Sequence, residues 1–348
     1  MEARPVIAAV TLNPAFDVTL ELPALVPGGV ARVRGEMRQA SGKGINVAMV
    51  LRTLGADARA YCLLGKETAS QYRALLGEDA GELRALEVPG ATRENLTLNA
   101  GGETYKVNRA GAMKADARVL GELSDLICAE LPEGAAVAVS GSLPGGVGVP
   151  ELRAFCGRLR DAGLRVALDC DGPTLRDILE IRPWLIKPND SELAALFGES
   201  GCDDEVIRRH TLELARGISE CEKRAWETRV RGEAEHASRL RRFAAPIVAV
   251  SLGAQGMLLA SQGKLYEAAA APITQVSDVG AGDSALAGLI FALARGETMR
   301  GALKLAGGCG AATAALPGST LCAAADARRL AAEIEVRGLA STASSPDP

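Results

Sequence analysis

The chain has 348 residues, 48% hydrophobic and 24% charged, enough apolar sequence to bury a large core in one α/β domain or in two domains. Its formal net charge of −4 supplies no basic field, which argues against nucleic-acid binding through phosphate neutralisation and for a small-molecule substrate. The two histidines, His210 and His236, lie in a charged stretch away from every glycine-rich motif. A histidine-dependent hydrolase or a His-rich zinc site is therefore disfavoured, and acid–base work falls to carboxylates or lysines.

In chain order, the apolar run before Asn13 and Pro14 ends too early for a signal-peptide core and reads as a first strand. Residues 16–38 alternate in DVTLEL and VARVRGEMR, and residues 93–108 alternate on either side of a Gly-Gly turn. Alternation around tight turns predicts antiparallel hairpins, and the two segments, about 13–42 and 91–110, are read together as a small β-sheet lid. Beyond residue 115 the pattern predicts helix 115–130, strand 135–140, helix 150–162, strand 165–170, helix 173–180, strand 184–187 and helix 190–198. Such alternation implies parallel strands with crossover helices, and ligands then bind beyond the carboxyl ends of the strands. Ser140-Gly-Ser-Leu-Pro144, Asp169 and Lys187-Pro-Asn189 fall at those ends.

Residues 203–242 are dense in charge with apolar positions at helical spacing, which reads as one or two solvated surface helices. Leu305 to Ala325 is free of charge and long enough to span a bilayer, but four glycines, a proline and Ser/Thr among alanines predict a buried helix and loop. No membrane partner is expected. Eight cysteines form no C-x-x-C pair and several sit in apolar segments, as reduced thiols of a cytoplasmic protein do. One domain is expected over residues 1–340, with a disordered tail at 341–348.

The most informative segment is Val279-Gly-Ala-Gly-Asp-Ser284, which opens the apolar helix ALAGLIFALA. Gly280 and Gly282 let backbone amides crowd toward an anion at a helix N-terminus, and Asp283 is placed to take a proton from a hydroxyl. An anion cradle beside a base is what phosphoryl transfer asks of a protein. The rival reading is that Asp283 caps the helix. Dinucleotide binding, suggested by Gly280-x-Gly282-x-x-Ala285, fails on context, because no βαβ unit with an acidic residue about 20 positions on follows. Ser41-Gly-Lys-Gly-Ile-Asn-Val-Ala48 combines glycines, a cation and an amide before a helix; it lacks the P-loop spacing and also reads as a plain loop-to-helix junction.

Thr11-Leu-Asn-Pro-Ala-Phe-Asp17, Gly42-Lys-Gly-Ile-Asn46, Ser140-Gly-Ser-Leu-Pro144, Lys187-Pro-Asn-Asp-Ser-Glu192, Ser251-Leu-Gly-Ala-Gln-Gly256 and Gly280-Ala-Gly-Asp283 occur in one order. Together they resemble the motifs of the ribokinase-like (PfkB) carbohydrate kinases, and among these the 1-phosphofructokinase and tagatose-6-phosphate kinase branch, over roughly residues 5–335. The resemblance implies a three-layer α/β sandwich with a mostly parallel central sheet and a small β lid, with a homodimer formed through that lid. It implies Asp283 as base, with the amides of Gly280, Ala281 and Gly282 as anion hole. It implies Asn189 and Glu192 as organisers of Mg²⁺ through water, and Lys187, Ser251, Gly253 and Gly256 around ATP. It puts Asp17, Gly42, Lys43, Asn46, Arg93 and Ser140 on the sugar side. The implied reaction is ATP-dependent phosphorylation of the free hydroxymethyl of a ketohexose monophosphate, fructose 1-phosphate first, with tagatose 6-phosphate and fructose 6-phosphate as alternatives. A non-catalytic sugar-phosphate-binding regulator is the alternative of another class. The chain departs from the pattern at Ser41, at Asp278 before the final motif, and in the length of the charged 203–242 stretch.

Overall fold

The first strand, β1 (Val6–Thr11), is buried from Ile7 onward, Ile7 and Ala9 facing one apolar core and Ala8 and Val10 the other. Burial on both faces is the condition of a central strand in a parallel sheet. The computed structural model describes residues 4–170, 172–199, 201–216 and 247–339. His236, the remainder of the charged stretch and the expected tail lie outside the described residues.

The other strands are β2 (Ala15–Leu22), β3 (Gly35–Ser41), β4 (Asp57–Gly65), β5 (Leu83–Val88), β6 (Arg93–Ala100), β7 (Glu103–Asn108), β8 (Ala136–Ser140), β9 (Arg165–Asp169), β10 (Leu185–Ile186), β11 (Ile247–Ser251), β12 (Met257–Ser261), β13 (Lys264–Ala268) and β14 (Val336–Leu339). The helices are α1 (Lys43–Leu54), α2 (Ala69–Leu76), α3 (Ala117–Glu130), α4 (Val149–Asp161), α5 (Gly172–Ile178), α6 (Asp190–Leu196), α7 (Asp204–Arg216), α8 (Ala281–Ala294), α9 (Met299–Ala314) and α10 (Ala324–Glu333).

Ten strands form one sheet in the order β14-β13-β12-β11-β10-β9-β8-β1-β4-β5, parallel from β5 to β11 and antiparallel from β12 to β14. One face is covered by α1, α8, α9 and α10, the other by α3 to α7, so the core lies in two layers on either side of the sheet. On α3, Leu120, Leu123 and Ile127 recur at helical spacing and are buried, each contributing about 1.5–3 kcal/mol, while Asp116 caps the helix by accepting from the Val119 amide. Buried continuously from Asp283 to Leu293, α8 is apolar all round because it is held between α1 and α9.

The second sheet has the order β3-β2-β6-β7. The two expected hairpins, β2–β3 and β6–β7, are present, and they join by a parallel β2–β6 pairing that brings Ala15 opposite Arg93 and Asp17 opposite Asn95. Phe16 and Val18 of β2 are buried, and the Phe16 ring meets the Tyr72 ring edge-on at 5.4 Å, which ties this lid to α2.

One expectation needs correction. The first part of the charged stretch is α7, which is not a solvated surface helix: Ile207, His210, Thr211 and Leu214 are buried and the helix packs on β11 and β12. Their spacing, with a buried position every three or four residues, lays a narrow buried stripe under a charged face.

Candidate active site

The parallel strands end together, and the segments leaving β1, β8, β9, β10 and β11 converge at that edge with the first turns of α1 and α8 and the underside of the lid. They enclose a cavity of about 550 Å³. Thr11, Gly141, Ser142, Asp169, Lys187, Asn189 and Ser251 reach it from the strand ends, Gly42, Lys43, Asn46, Gly280, Gly282 and Asp283 from the helix starts, and Asp17, Arg93, Asn95 and Asn108 from the lid.

Asp283 is the most consequential member. It lies in the first turn of α8, 6% exposed, and its Oδ2 accepts from the Asn46 side-chain amide at 2.8 Å. Among the described residues no side-chain cap bond closes the start of α8, so this carboxylate is held by α1 and not spent on its own helix. Burial, and then the nearby charge of Asp169, push its pKa up to about 6, against the opposing effects of the Asn46 bond, Lys43 and Lys187. The neighbouring Ser284 hydroxyl is hydrogen-bonded to that of Thr313 at 2.7 Å, which locks the first turn of α8 to α9. Gly280 precedes the helix with φ 76°, a left-handed conformation that glycine adopts without strain. At Gly282 a Cβ would sit 3.7 Å from Lys187 Nζ, so the ammonium lies close against the first turn of α8.

Asp169, 2% exposed, stands between two cations. Its Oδ1 is 3.4 Å from Lys187 Nζ and its Oδ2 3.6 Å from Lys43 Nζ, and that Oδ2 finds no hydrogen-bond partner among the described residues. Asp169 is the chief cause of the raised pKa of Lys43, which also feels Asp283 and Glu192. Lys43 reaches this position because Gly44 lets α1 start against β1: a Cβ at Gly44 would lie 2.5 Å from the Val10 carbonyl. Asn189 and Glu192 form a reciprocal cap on α6, Asn189 Oδ1 accepting from the Glu192 amide at 2.7 Å and Glu192 Oε2 from the Asn189 amide at 2.9 Å. Burial, seconded by Asp169, raises the Glu192 carboxyl.

On the lid side, Asn95 donates to Asp17 Oδ1 at 2.9 Å. Arg93 is half-buried, its Nε has no hydrogen-bond partner among the described residues, and burial lowers its pKa against the pull of Asp17. Arg93 borders the cavity, with this Nε buried behind its surface.

Twelve of the residues singled out from the sequence line this one cavity. Four do not: Ala281 lies in the turn between lining glycines, and Ser140 is buried at the end of β8 with its hydroxyl unpartnered among the described residues. Gly253 opens, and Gly256 closes, the turn that joins β11 to β12, just beyond Ser251 and outside the cavity lining. Residues that the motifs contain but to which the sequence assigns no role include Thr11, whose hydroxyl accepts from the Ile45 amide, and Asn13, which donates to the Ser142 hydroxyl at 3.1 Å. Asp169 was noted for its place at a strand end, the one available signal, and not as a site residue.

Asp278, the departure just before the final motif, also borders the cavity, but it is largely exposed and paired with Lys106 of β7 at 3.2 Å, and the carboxylate that raises the pKa of Asp283 is Asp169. An exposed pair of this kind contributes about 0–1 kcal/mol. Asp278→Asn should therefore leave kcat/KM within about fivefold of wild type; a gain above tenfold would mean that Asp278 does repel the substrate.

Among known proteins, the family described as pfkB family carbohydrate kinase matches residues 10–326. A 1-phosphofructokinase of Xanthomonas campestris is 33% identical over 292 residues, 82% of this chain and 83% of that protein. An ATP-dependent 6-phosphofructokinase isozyme 2 of Mycobacterium tuberculosis is 31% identical over 337 residues, 95% of this chain and 91% of that protein. The crystal structure of phosphofructokinase-2 from Escherichia coli in complex with substrates and products superimposes with a TM-score of 0.81 at 27% identity, covering 95% of this chain and 99% of that one.

Proposed function

This chain belongs to the pfkB family of carbohydrate kinases, and from that premise we propose that it uses ATP to phosphorylate the free hydroxymethyl of a ketohexose monophosphate, fructose 1-phosphate giving fructose 1,6-bisphosphate. The observation that carries this reading is the buried Asp283, aimed into a cation-lined cavity beside the open amides of Gly280, Ala281 and Gly282. In the reaction Asp283 takes the proton of the acceptor hydroxyl while the amides and Lys187 hold the transferring phosphoryl group, so that charge develops against donors already in place. Asn46 keeps the carboxylate pointed at the acceptor. Lys187, Asn189 and Ser251 border the ATP side; Asp17, Gly42, Lys43, Asn46 and Arg93 border the sugar.

Magnesium fits the donor set. Asp169 Oδ2, which accepts no hydrogen bond among the described residues although Lys43 Nζ lies 3.6 Å from it, and the Glu192 carboxylate are hard oxygen donors in the cavity, suited to an ion that keeps several waters. Asn189 and Glu192 would hold it through water, and when bound it neutralises charge on the phosphate oxygens. The proposed assembly is a homodimer through the lid: β7 is an exposed edge strand, and Tyr105, Val107, Val33 and Met37 leave apolar surface uncovered. Among the described residues no helix is long and apolar enough to cross a membrane; the reading places the enzyme in the cytoplasm.

A coupled ADP-release assay over a panel of sugar phosphates and free sugars tests the assignment. Turnover should be greatest with fructose 1-phosphate and slight with free fructose or ribose. Binding of the sugar phosphate without ADP release would leave a regulator. The pH profile of kcat/KM adds a signature: with the Asp283 pKa near 6, activity should fall about tenfold per unit below pH 6. An acid limb centred near 4 would assign the base to a carboxylate with an ordinary pKa.

A further inference from the structure

Outside the catalytic cavity, the loop from α6 to α7 brings Glu199 and Cys202 to His210, and one ligating atom of each lies within 4.8 Å of the others. The His210 ring is 5% exposed and stacked on Phe197, centroids 3.7 Å apart and planes 10° from parallel, which fixes its orientation. His210 Nδ1 is 3.3 Å from Glu213 Oε2 one turn along α7. A proton on Nδ1 donates to that carboxylate and leaves the lone pair on Nε2, which faces Glu199 Oε1 at 3.4 Å and has no hydrogen-bond partner among the described residues. The Cys202 thiol donates to the other oxygen of Glu199 at 2.7 Å.

An imidazole held by a carboxylate at one nitrogen, its other nitrogen bare and turned toward a thiol and a carboxylate, is the arrangement that orients a metal-binding histidine. We propose that Glu199, Cys202 and His210 form a binding site for a divalent ion of the Zn²⁺ type, with Glu213 as the positioning residue behind His210. The mixed sulfur, nitrogen and oxygen donors suit a borderline ion, and three protein ligands leave a fourth position for water. Ligands at zinc bond lengths of about 2.0–2.3 Å on a tetrahedron stand roughly 3.3–3.8 Å apart, which the Nε2–Oε1 separation already meets. Binding exchanges the Cys202 thiol proton, released to solvent, for the cation; Glu199 Oε2 loses its hydrogen bond from the thiol, and Oε1, which already faces Nε2, serves as the oxygen ligand. The ion would clip α7 to the far end of α6, the helix whose other end carries Asn189 and Glu192 about 10 Å away.

The test uses reduced full-length protein in magnesium- and nucleotide-free buffer. Zn²⁺ is titrated against a chromophoric chelator, and Co²⁺ is added separately to read a thiolate-to-cobalt charge-transfer band. Wild type should bind one equivalent and show the band. Cys202→Ser, at a partly exposed thiol, should abolish the band and weaken Zn²⁺ binding by about 100-fold or more while keeping wild-type kinase turnover, and Glu213→Gln should weaken binding about 10–100-fold. His210→Gln should match Cys202→Ser if it folds. No bound equivalent in wild type, or an undiminished affinity and band in Cys202→Ser, overturns the proposal; neither result bears on the kinase assignment, which is read by ADP release.

Discussion

Asp283→Asn is expected to lower kcat by about 10²–10⁴-fold, the usual contribution of a general base, with ATP binding largely intact. The same substitution carries a stability signature of definite sign. In the folded chain Asp283 has its pKa raised from 3.8 to about 6, so the native state binds its proton more tightly than the unfolded chain does. The stability this group contributes is complete below pH ~4 and is lost as pH rises through about 6. Above that, the buried charge costs on the order of 3 kcal/mol, from a shift of about two units at 1.36 kcal/mol each. Asp283→Asn should thus melt no lower than wild type at pH 8, and the difference between them should shrink toward pH 4. Calorimetric scans at the two pH values, with single-turnover kinetics, separate the possibilities. A variant that turns over normally but melts several degrees lower would make Asp283 a helix residue and return the function to open question.

Why so much of this site was legible in the sequence, and some of it not, follows from which features are local. The glycines before α8 and the Asp after them are a local signal, because a helix start that presents amides is written in consecutive residues. The succession of strands and helices after residue 115 is likewise local, and parallel order follows from it. Asp169 is different. Its importance comes from Lys43 and Lys187, which belong to α1 and to the end of β10 and meet only when β9 lies between β8 and β10. The lid divides in the same way: each hairpin follows from its own alternation, but the parallel β2–β6 pairing that sets Arg93 beside Asp17 is long-range. On α7 the charged face dominates composition, and a stripe as narrow as Ile207, His210, Thr211 and Leu214 is hard to separate from scattered apolar residues. Asn189 and Glu192 carry two meanings at once, a capping box by local spacing and cavity-lining oxygens by position. The first is fully accounted for by α6 alone, so their tie to Mg²⁺ rests on the family.

The second large effect concerns the phosphate that the acceptor already carries. Arg93 enters the cavity from the start of β6, half-buried, with Asp17 as its neighbouring carboxylate and its Nε unpartnered among the described residues. A guanidinium taken out of water with a donor unspent is costly unless an anion completes it, and a bidentate grip on a phosphate does so. Such a charge-assisted contact contributes roughly 1.5–3 kcal/mol, so Arg93→Leu should lower kcat/KM for the sugar phosphate about ten- to a hundredfold with the KM for ATP nearly unchanged. Lys43 is placed to act on both partners of the reaction. It lines the same cavity, yet its ammonium sits by Asp169 and within the field of Asp283 and Glu192. Lys43→Met should therefore cost a similar factor in kcat/KM and, because Lys43 lowers the Asp283 pKa, also move the acid limb of the pH profile upward. Arg93→Leu should leave that limb in place. Steady-state kinetics of the two variants between pH 5 and pH 8 decide the matter: if neither changes the KM for the sugar phosphate, or if wild type prefers an unphosphorylated sugar, the acceptor is a simple sugar or nucleoside and Arg93 faces a hydroxyl instead of a phosphate.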